Sequence, residues 1–142
     1  MTPPGLALVL HAGDFPRVYY ALALAAAALA ANQPVTLFFT MGAARALLAA
    51  DDAGPGWRAL LPGEDGLSPL AADQSLRDKG LGGFEEFLTA TVALGGAIMV
   101  CEMGLRACDL EGRVLRTDVP IAPGGLVTFL SSQRAGDRLL FI

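Results

Sequence analysis

The chain is poor in the residues that build most metal and nucleic-acid sites. It has one histidine, two cysteines and only ten lysines and arginines, and its formal net charge is −4. One histidine and two separated cysteines do not make a typical zinc set. Binding to nucleic-acid phosphates needs clustered basic residues, whereas Lys79 and the arginines are scattered along the chain. We therefore expect no bound metal and no nucleic-acid partner.

Charged residues and long apolar segments are scarce as well. Charged residues make up 17% of the chain and hydrophobic residues 54%, which leaves little polar surface for a monomer and indicates self-association. The apolar run 21–31 is shorter than the roughly 20 residues of a membrane span. The start of the chain, 1–5, lacks the basic region of a signal peptide. We expect a homo-oligomer without a membrane span.

Cysteine usage points to a reducing compartment. The spacing of Cys101 and Cys108 gives neither a disulfide framework nor a CxxC redox pair. Because disulfides are rare in cytosolic proteins, we expect a cytoplasmic protein. The segment His-Ala-Gly-Asp at 11–14 also lacks the GxGxxG pattern of a dinucleotide loop, so we expect no cofactor.

Apolar runs alternate with helical patterns in the first third of the chain. The runs 6–10 and 35–40 are continuous, as in strands buried on both faces of a sheet. Between them, Asp14 can cap a helix that has Pro16 in its first turn. A short helix is predicted over 41–50. This alternation predicts a parallel sheet with right-handed crossovers.

The middle of the chain interrupts this rhythm. Residues 51–83 contain many glycines, prolines and charges, with scattered apolar anchors such as Trp57 and Leu60. We interpret them as an extended insertion or loop with one short helical turn, inside a single domain that spans residues 1–142. The insertion acts either as a lid or oligomer contact, or is a variable surface excursion.

Regular patterns return after the insertion. The predicted elements are a helix over 84–94, a strand over 96–101, a helix to 110, a helix over 126–133 and a strand over 138–142. We expect residues 115–121 to form a linker with a short helical piece or an added short strand. The sequence therefore predicts four strands, with a fifth left open.

Cys101 is the strongest candidate for chemistry. It closes the apolar run 96–100 and precedes a segment, 102–108, that can start a helix. Ligands of open α/β sheets bind at the carboxyl ends of strands, and free N–H groups at the start of a helix favour a thiolate. The alternative is a packed core cysteine, since free cysteines are among the most buried residues.

Further candidates follow the predicted strands. His11, at the same sheet edge as Cys101, is either a base or hydrogen-bond partner of the sulfur, or a turn histidine bonded to backbone. Asp14 is better explained as a helix cap than as a catalytic carboxylate. Tyr19 lines the pocket or belongs to the core. The predicted binding set is Gly13, Asp14, Tyr19, Met41 and Met103.

Several segments together resemble a known family. They are HAGD at 11–14 with RVYYAL at 17–22, VTLFFT at 35–40, IMVCEM at 98–103, GGLVTFL at 124–130 and LFI at 140–142. In their order and spacing they resemble the DsrE/DsrF/TusD superfamily of sulfur-relay proteins, in particular the small DsrE-like subgroup often labelled peroxiredoxin-like. The resemblance covers nearly the whole chain apart from the insertion.

The resemblance implies a three-layer α/β/α fold with a mostly parallel five-stranded sheet, assembled as a trimer or hexamer. It also implies a persulfide on Cys101, exchanged with sulfur donor and acceptor proteins. Where relatives often have Cys-x-Met-Ser-x-Asp, this chain has Gly104 for the serine and Arg106 for the aspartate, and Arg106 would add positive charge near a thiolate. Two functions remain open: a sulfur carrier or sulfurtransferase, and a non-catalytic oligomeric binding module of the same fold.

Overall fold

The computed structural model describes residues 3–142, which form one five-stranded, all-parallel sheet flanked by helices. The strands are β1 (Leu6–Leu10), β2 (Val35–Phe39), β3 (Ala97–Cys101), β4 (Ala122–Gly124) and β5 (Arg138–Phe141), in the order β4-β3-β2-β1-β5. The helices are α1 (Phe15–Ala30), α2 (Pro69–Asp78), α3 (Phe84–Ala93), α4 (Glu102–Ala107) and α5 (Leu126–Ser131). The three-layer α/β/α prediction is confirmed.

Local signals define the first helix as predicted. The Asp14 carboxylate accepts a hydrogen bond from the Arg17 backbone N–H at 3.2 Å, and Pro16 lies in the first turn. Both features stabilise a helix start. The chain leaves the helix at Ala31 and turns through Asn32, whose φ of 64° is in the left-handed region. These local signals mark where α1 begins and ends.

The two faces of the sheet belong to separate cores. The larger core lies between the sheet and helices α1 and α3, and takes in the side chains of Leu8, Leu10 and Leu37. The smaller core lies on the opposite face under α5, and it contains Ala7, Val9, Phe38, Met99, Cys101 and Phe129. Side chains alternate between faces along a strand, so β1 contributes to both cores. Cys101 belongs to the smaller one.

The insertion is more ordered than the sequence indicates. It contains a 3-10 helix (Gly56–Ala59) and the ten-residue helix α2, so the expectation of one short helical turn is wrong. Ser68 caps α2 through a 3.2 Å hydrogen bond from the Ala71 N–H, and the buried Asp73 carboxylate accepts the Phe84 N–H at 2.7 Å. These contacts tie α2 to the start of α3.

Two further predictions differ from the structure. The segment predicted as a helix over 41–50 is a 3-10 helix that ends at Leu47. The fifth strand does not lie within 115–121. It forms over Ala122–Gly124, because the backbone of Ala122–Gly124 pairs with the end of β3. Within residues 3–142, no helix is both long and apolar enough to cross a membrane.

A guanidinium between two carboxylates anchors the insertion. Arg116, with 10% of its side chain exposed, forms ion pairs of 2.8 Å with Glu85 and 2.7 Å with Asp118. Glu85 also accepts a 2.9 Å hydrogen bond from the Trp57 indole N–H. The hydrogen bonds from Arg116 lower the pKa of Asp118. The network joins the insertion, α3 and the segment before β4.

Candidate functional site at the end of strand β3

The chain leaves β3 and β4 towards opposite faces of the sheet. After β3 it enters α4, whose Leu105 packs against the larger core, and after β4 it enters α5, whose Phe129 belongs to the smaller core. Cys101 and Gly124, the last residues of the two strands, are paired across the sheet. In open parallel sheets, ligands bind outside the carboxyl ends of the strands. Cys101 lies at this carboxyl edge of the sheet, whereas the strand order reverses between β1 and β5.

The Cys101 thiol is held inside the protein. Cys101 caps α4, and its Sγ accepts a hydrogen bond from the Gly104 backbone N–H at 3.4 Å. The residue is 0% exposed and packs in the smaller core with Phe38, Met99 and Phe129. The structure thus combines both readings of the sequence, because the cysteine stands at the binding edge and is also packed like a core residue. In this conformation of the single chain, no reactant reaches the sulfur.

Gly104 allows α4 to pack closely beside the site. A Cβ at position 104 would lie 2.5 Å from the backbone nitrogen of Met41 and 3.0 Å from the Cα of Thr40. The backbone of α4 therefore lies directly on the segment that follows β2. The serine that relatives often carry at this position has no room here. Gly104 is therefore a requirement of packing between α4 and the segment after β2.

Thr40 separates the two residues predicted to act together. In the register of the sheet, Leu10 pairs with Phe39 and Phe39 with Val100, and one further residue along each strand places Thr40 between His11 and Cys101. Because neighbouring strands are about 4.8 Å apart, His11 and Cys101 are roughly 10 Å apart. Thr40, 6% exposed, is the polar side chain next to the cysteine. Sequence reasoning missed it, although a hydroxyl at the end of β2 was the available signal.

His11 is exposed and packs beside the end of β5. Its backbone N–H donates to the Ile142 carbonyl at 2.7 Å, and the centre of its ring lies 5.5 Å from that of Phe141. It shares the sheet edge with Cys101 without contacting it.

The loops after β1 and β2 lie against each other. A Cβ at Gly42 would lie 2.8 Å from the Cα of Gly13, so neither loop has room for a side chain there. Met41 adopts a left-handed φ of 49° to enter this contact. Asp14 is engaged as the cap of α1 and pairs with Arg17 at 3.7 Å. Gly13 and Met41 thus shape the edge of the sheet, and Asp14 acts as the predicted cap.

The remaining candidates point away from the sulfur. Tyr19 is buried on the opposite face, where its hydroxyl donates to the Gly82 carbonyl at 2.7 Å. Burial, and then the charges of nearby carboxylates, raise the pKa of Tyr19. Arg106 lies in the last turn of α4, exposed, and pairs with Glu111 at 3.4 Å. Met103 is 59% exposed. Tyr19, Arg106 and Met103 therefore do not surround the Cys101 sulfur.

The fold and the place of the cysteine define a class: an open, all-parallel α/β/α protein with a thiol at the carboxyl end of a strand. A family model agrees, since residues 6–142 match the DsrE/DsrF-like family. The chain belongs to this family, which is of the sulfur-relay type. The crystal structure of the ychN protein from E. coli is similar with a TM-score of 0.54 and 16% sequence identity, over 97% of this chain and 99% of that chain. This similarity shows the fold. No curated protein matches the chain in sequence.

Proposed function

We propose that this protein carries sulfur as a persulfide on Cys101. The observation that supports it is the position of the Cys101 Sγ at the carboxyl end of β3, where it accepts a hydrogen bond from a backbone N–H at the start of α4. In the proposed step the thiolate attacks the outer sulfur of a donor persulfide. The donor S–S bond breaks, a new S–S bond forms on Cys101, and the donor leaves as a thiolate. The pair of electrons stays with the leaving sulfur, so no external oxidant is needed.

The enclosed thiol requires that α4 moves before transfer. Gly104 is the one buried residue of this six-residue helix and Leu105 is partly buried, so displacing the helix exposes little apolar side chain beyond that of Leu105. Segments with few buried apolar contacts open at low free-energy cost. We expect the donor or acceptor to bind the open form and to select it from the ensemble. The Gly104–Thr40 contact then controls access to the sulfur.

Intact-mass measurement tests sulfur carriage directly. The protein is incubated with a cysteine desulfurase and cysteine, and we expect a mass increase of one sulfur atom that reducing agent removes. Cys101→Ser should abolish the adduct. Cys108→Ser is the matched control, because Cys108 is the other free thiol and is partly exposed. An adduct that persists in Cys101→Ser, or that depends on Cys108, contradicts the proposal.

The second candidate is a non-catalytic oligomeric binding module. The complete burial of Cys101 favours it, since burial makes structural cysteines inert. Alkylation of the native protein separates the two functions. Sulfur carriage predicts that Cys101 reacts at a rate set by opening of α4, well before global unfolding. The binding module predicts that Cys108 alone is labelled until the protein unfolds.

Both proposed functions include assembly of the chain into a trimer or hexamer. Large apolar side chains are exposed on α5 and β5: Leu126, Val127 (80% exposed), Leu130, Leu139 and Phe141 (68% exposed). We call this group the α5–β5 surface. Patches of this kind mark interaction sites on soluble proteins. We propose that copies of the chain cover it in a homo-oligomer. Both cysteines are free thiols, which fits a reducing compartment such as the cytoplasm.

Sedimentation equilibrium at micromolar concentration tests the assembly. Val127→Glu places a charge on the α5–β5 surface and should shift the mass towards the monomer. Val114→Glu is the matched control, because Val114 is 71% exposed outside that surface. A monomer mass for the unaltered protein overturns the assembly proposal, and equal effects of the two variants overturn the choice of surface.

A further inference from the structure

A second concave site lies away from Cys101, at the base of the insertion. It is a cavity of about 330 Å³ between the insertion and the segment that follows α4. Its main lining residues are Leu48, Asp51, Pro55, Arg58, Leu70 and Arg113. Small-molecule sites are typically clefts of about 300–1,000 Å³ with an apolar lining and few polar groups. This cavity has that size and composition.

Two cations without acidic partners face this cavity. Most arginines of the chain are paired with a carboxylate: Arg17, Arg77, Arg106, Arg116 and Arg134. Within residues 3–142, Arg58 and Arg113 have no such ion pair, although both line the cavity. Asp51 is the acidic lining residue, and one of its oxygens accepts the Ala53 N–H at 2.8 Å. The lining is thus net positive in a chain with net charge −4.

The Arg58 side chain is held in place before any ligand binds. Its guanidinium carbon lies 5.6 Å from the centre of the Trp57 ring. Gly54, with a φ of 106°, also borders this side chain, and a Cβ there would be 2.5 Å from Arg58 Nη1. A side chain fixed in advance loses less conformational entropy on binding. Arg58 is therefore positioned to receive an anion.

We propose that this cavity binds a small organic anion: a carboxylate or phosphate monoester that carries an apolar group. The guanidinium groups of Arg58 and Arg113 bind the anionic head, since the planar fork of arginine matches carboxylate and phosphate oxygens. The apolar group contacts Leu48, Pro55 and Leu70. Cys101 does not line the cavity, so binding is independent of sulfur carriage.

Calorimetric titration with four probes tests the proposal. Hexanoate and hexyl phosphate combine an anionic head with an apolar tail, and comparing them distinguishes carboxylate from phosphate recognition. Inorganic phosphate has only the head and 1-hexanol only the tail. We expect saturable binding of hexanoate, hexyl phosphate or both, and at least tenfold weaker binding of the two partial probes. Trp57 is the single tryptophan of the chain, so its fluorescence gives an independent signal beside Arg58.

Matched variants locate the binding. Arg113→Gln should weaken the preferred probe at least tenfold, and Arg113 is suitable because its removal leaves the Trp57–Arg58 contact intact. Arg138→Gln is the control, since Arg138 has no carboxylate partner within residues 3–142 and lies in β5. Cys101→Ser should bind normally. Equal affinity of Arg113→Gln and Arg138→Gln overturns the proposal, as does equal binding of 1-hexanol, or no saturable binding up to about 10 mM hexanoate and hexyl phosphate.

Discussion

The two faces of the sheet differ in how thickly they are covered. On one face, α1, α2 and α3 bury a core that includes Phe15, Trp57 and Phe84. On the other face, the six-residue helix α5 covers a core of six residues. The first face carries most of the apolar burial, which is the main favourable term in folding. The second holds Cys101 and the α5–β5 surface, so the proposed chemistry and assembly are concentrated where the fold is least covered.

The sharpest test of this difference removes one phenylalanine from each face. Phe84 and Phe129 are both 1% exposed, so the variants are matched in residue type and burial. Phe84→Ala should lower the free energy of unfolding by about 3–5 kcal/mol, because aromatic neighbours on several sides cannot collapse into the cavity. Phe129→Ala should cost about 2 kcal/mol less, since the short α5 can settle into the space. Urea unfolding at a fixed protein concentration measures both.

Equal losses in the two variants would remove the distinction between the faces. A larger loss for Phe129→Ala would reverse it.

Gly104→Ser should have the next largest effect on the free energy of unfolding, and it acts next to the candidate site. The added side chain collides with the backbone of Thr40 and Met41, and overpacking of this kind costs about 1–3 kcal/mol. Because α4 must shift to relieve the collision, Cys101 should also be alkylated faster in the native protein. Gly125→Ser is the matched control: Gly125 caps α5, and a Cβ there meets nothing within 4 Å. Serine is a preferred residue at such an N-cap position, so this variant should not be destabilised.

A stable Gly104→Ser variant with unchanged labelling of Cys101 would show that the close contact of Gly104 with Thr40 and Met41 is not needed to hold α4 in place. Destabilisation by Gly125→Ser would show that any serine at a helix start has this effect.

Asp73→Ala tests how the insertion strengthens the thickly covered face. It removes the acceptor of the Phe84 N–H at 2.7 Å and the partner of Arg77 at 3.3 Å. Leaving a buried donor unsatisfied costs about 1–3 kcal/mol, so the midpoint of urea unfolding should fall. Asp78→Asn, an exposed change on the same helix, should leave the midpoint nearly unchanged. An equally small effect of Asp73→Ala would mean that the insertion folds without this contact.

Local signals were sufficient for some elements and not for others. Asp14 and Pro16 specify the start of α1 within a few residues of sequence, so α1 was predictable. The helix α2 was missed because only its Ala72 and Leu76 side chains pack against the core, which leaves little apolar periodicity. The strand β4 contains Pro123 and forms only through pairing with β3; proline fits an edge strand but is not a strand signal.

Some features of the candidate site were likewise predictable from the sequence and others were not. The place of Cys101 at a strand end follows from the apolar run before it, and the sequence contains that signal. Its burial follows from packing with Phe38 and Phe129, which come from parts of the chain far apart in sequence. No local pattern reports such a contact. The same holds for the cavity, whose lining brings Arg58 and Arg113 together from segments far apart in sequence.

The smallest predicted effect concerns the edge of the sheet and depends on pH. Asp137 accepts hydrogen bonds from the backbone N–H groups of Arg134 at 2.8 Å and Gly5 at 2.7 Å, tying the start of β5 to the start of β1. These bonds lower the pKa of Asp137 below its ordinary value of 3.8. A lowered pKa in the folded state adds stability above the ordinary value, and this stability is lost as the pH falls through the folded-state value. Asp137→Asn should therefore be less stable than the unaltered protein at about pH 7, and the difference should shrink towards about pH 2. Urea unfolding at both pH values measures it, and a difference that stays constant would show that the charge of Asp137 does not hold this edge.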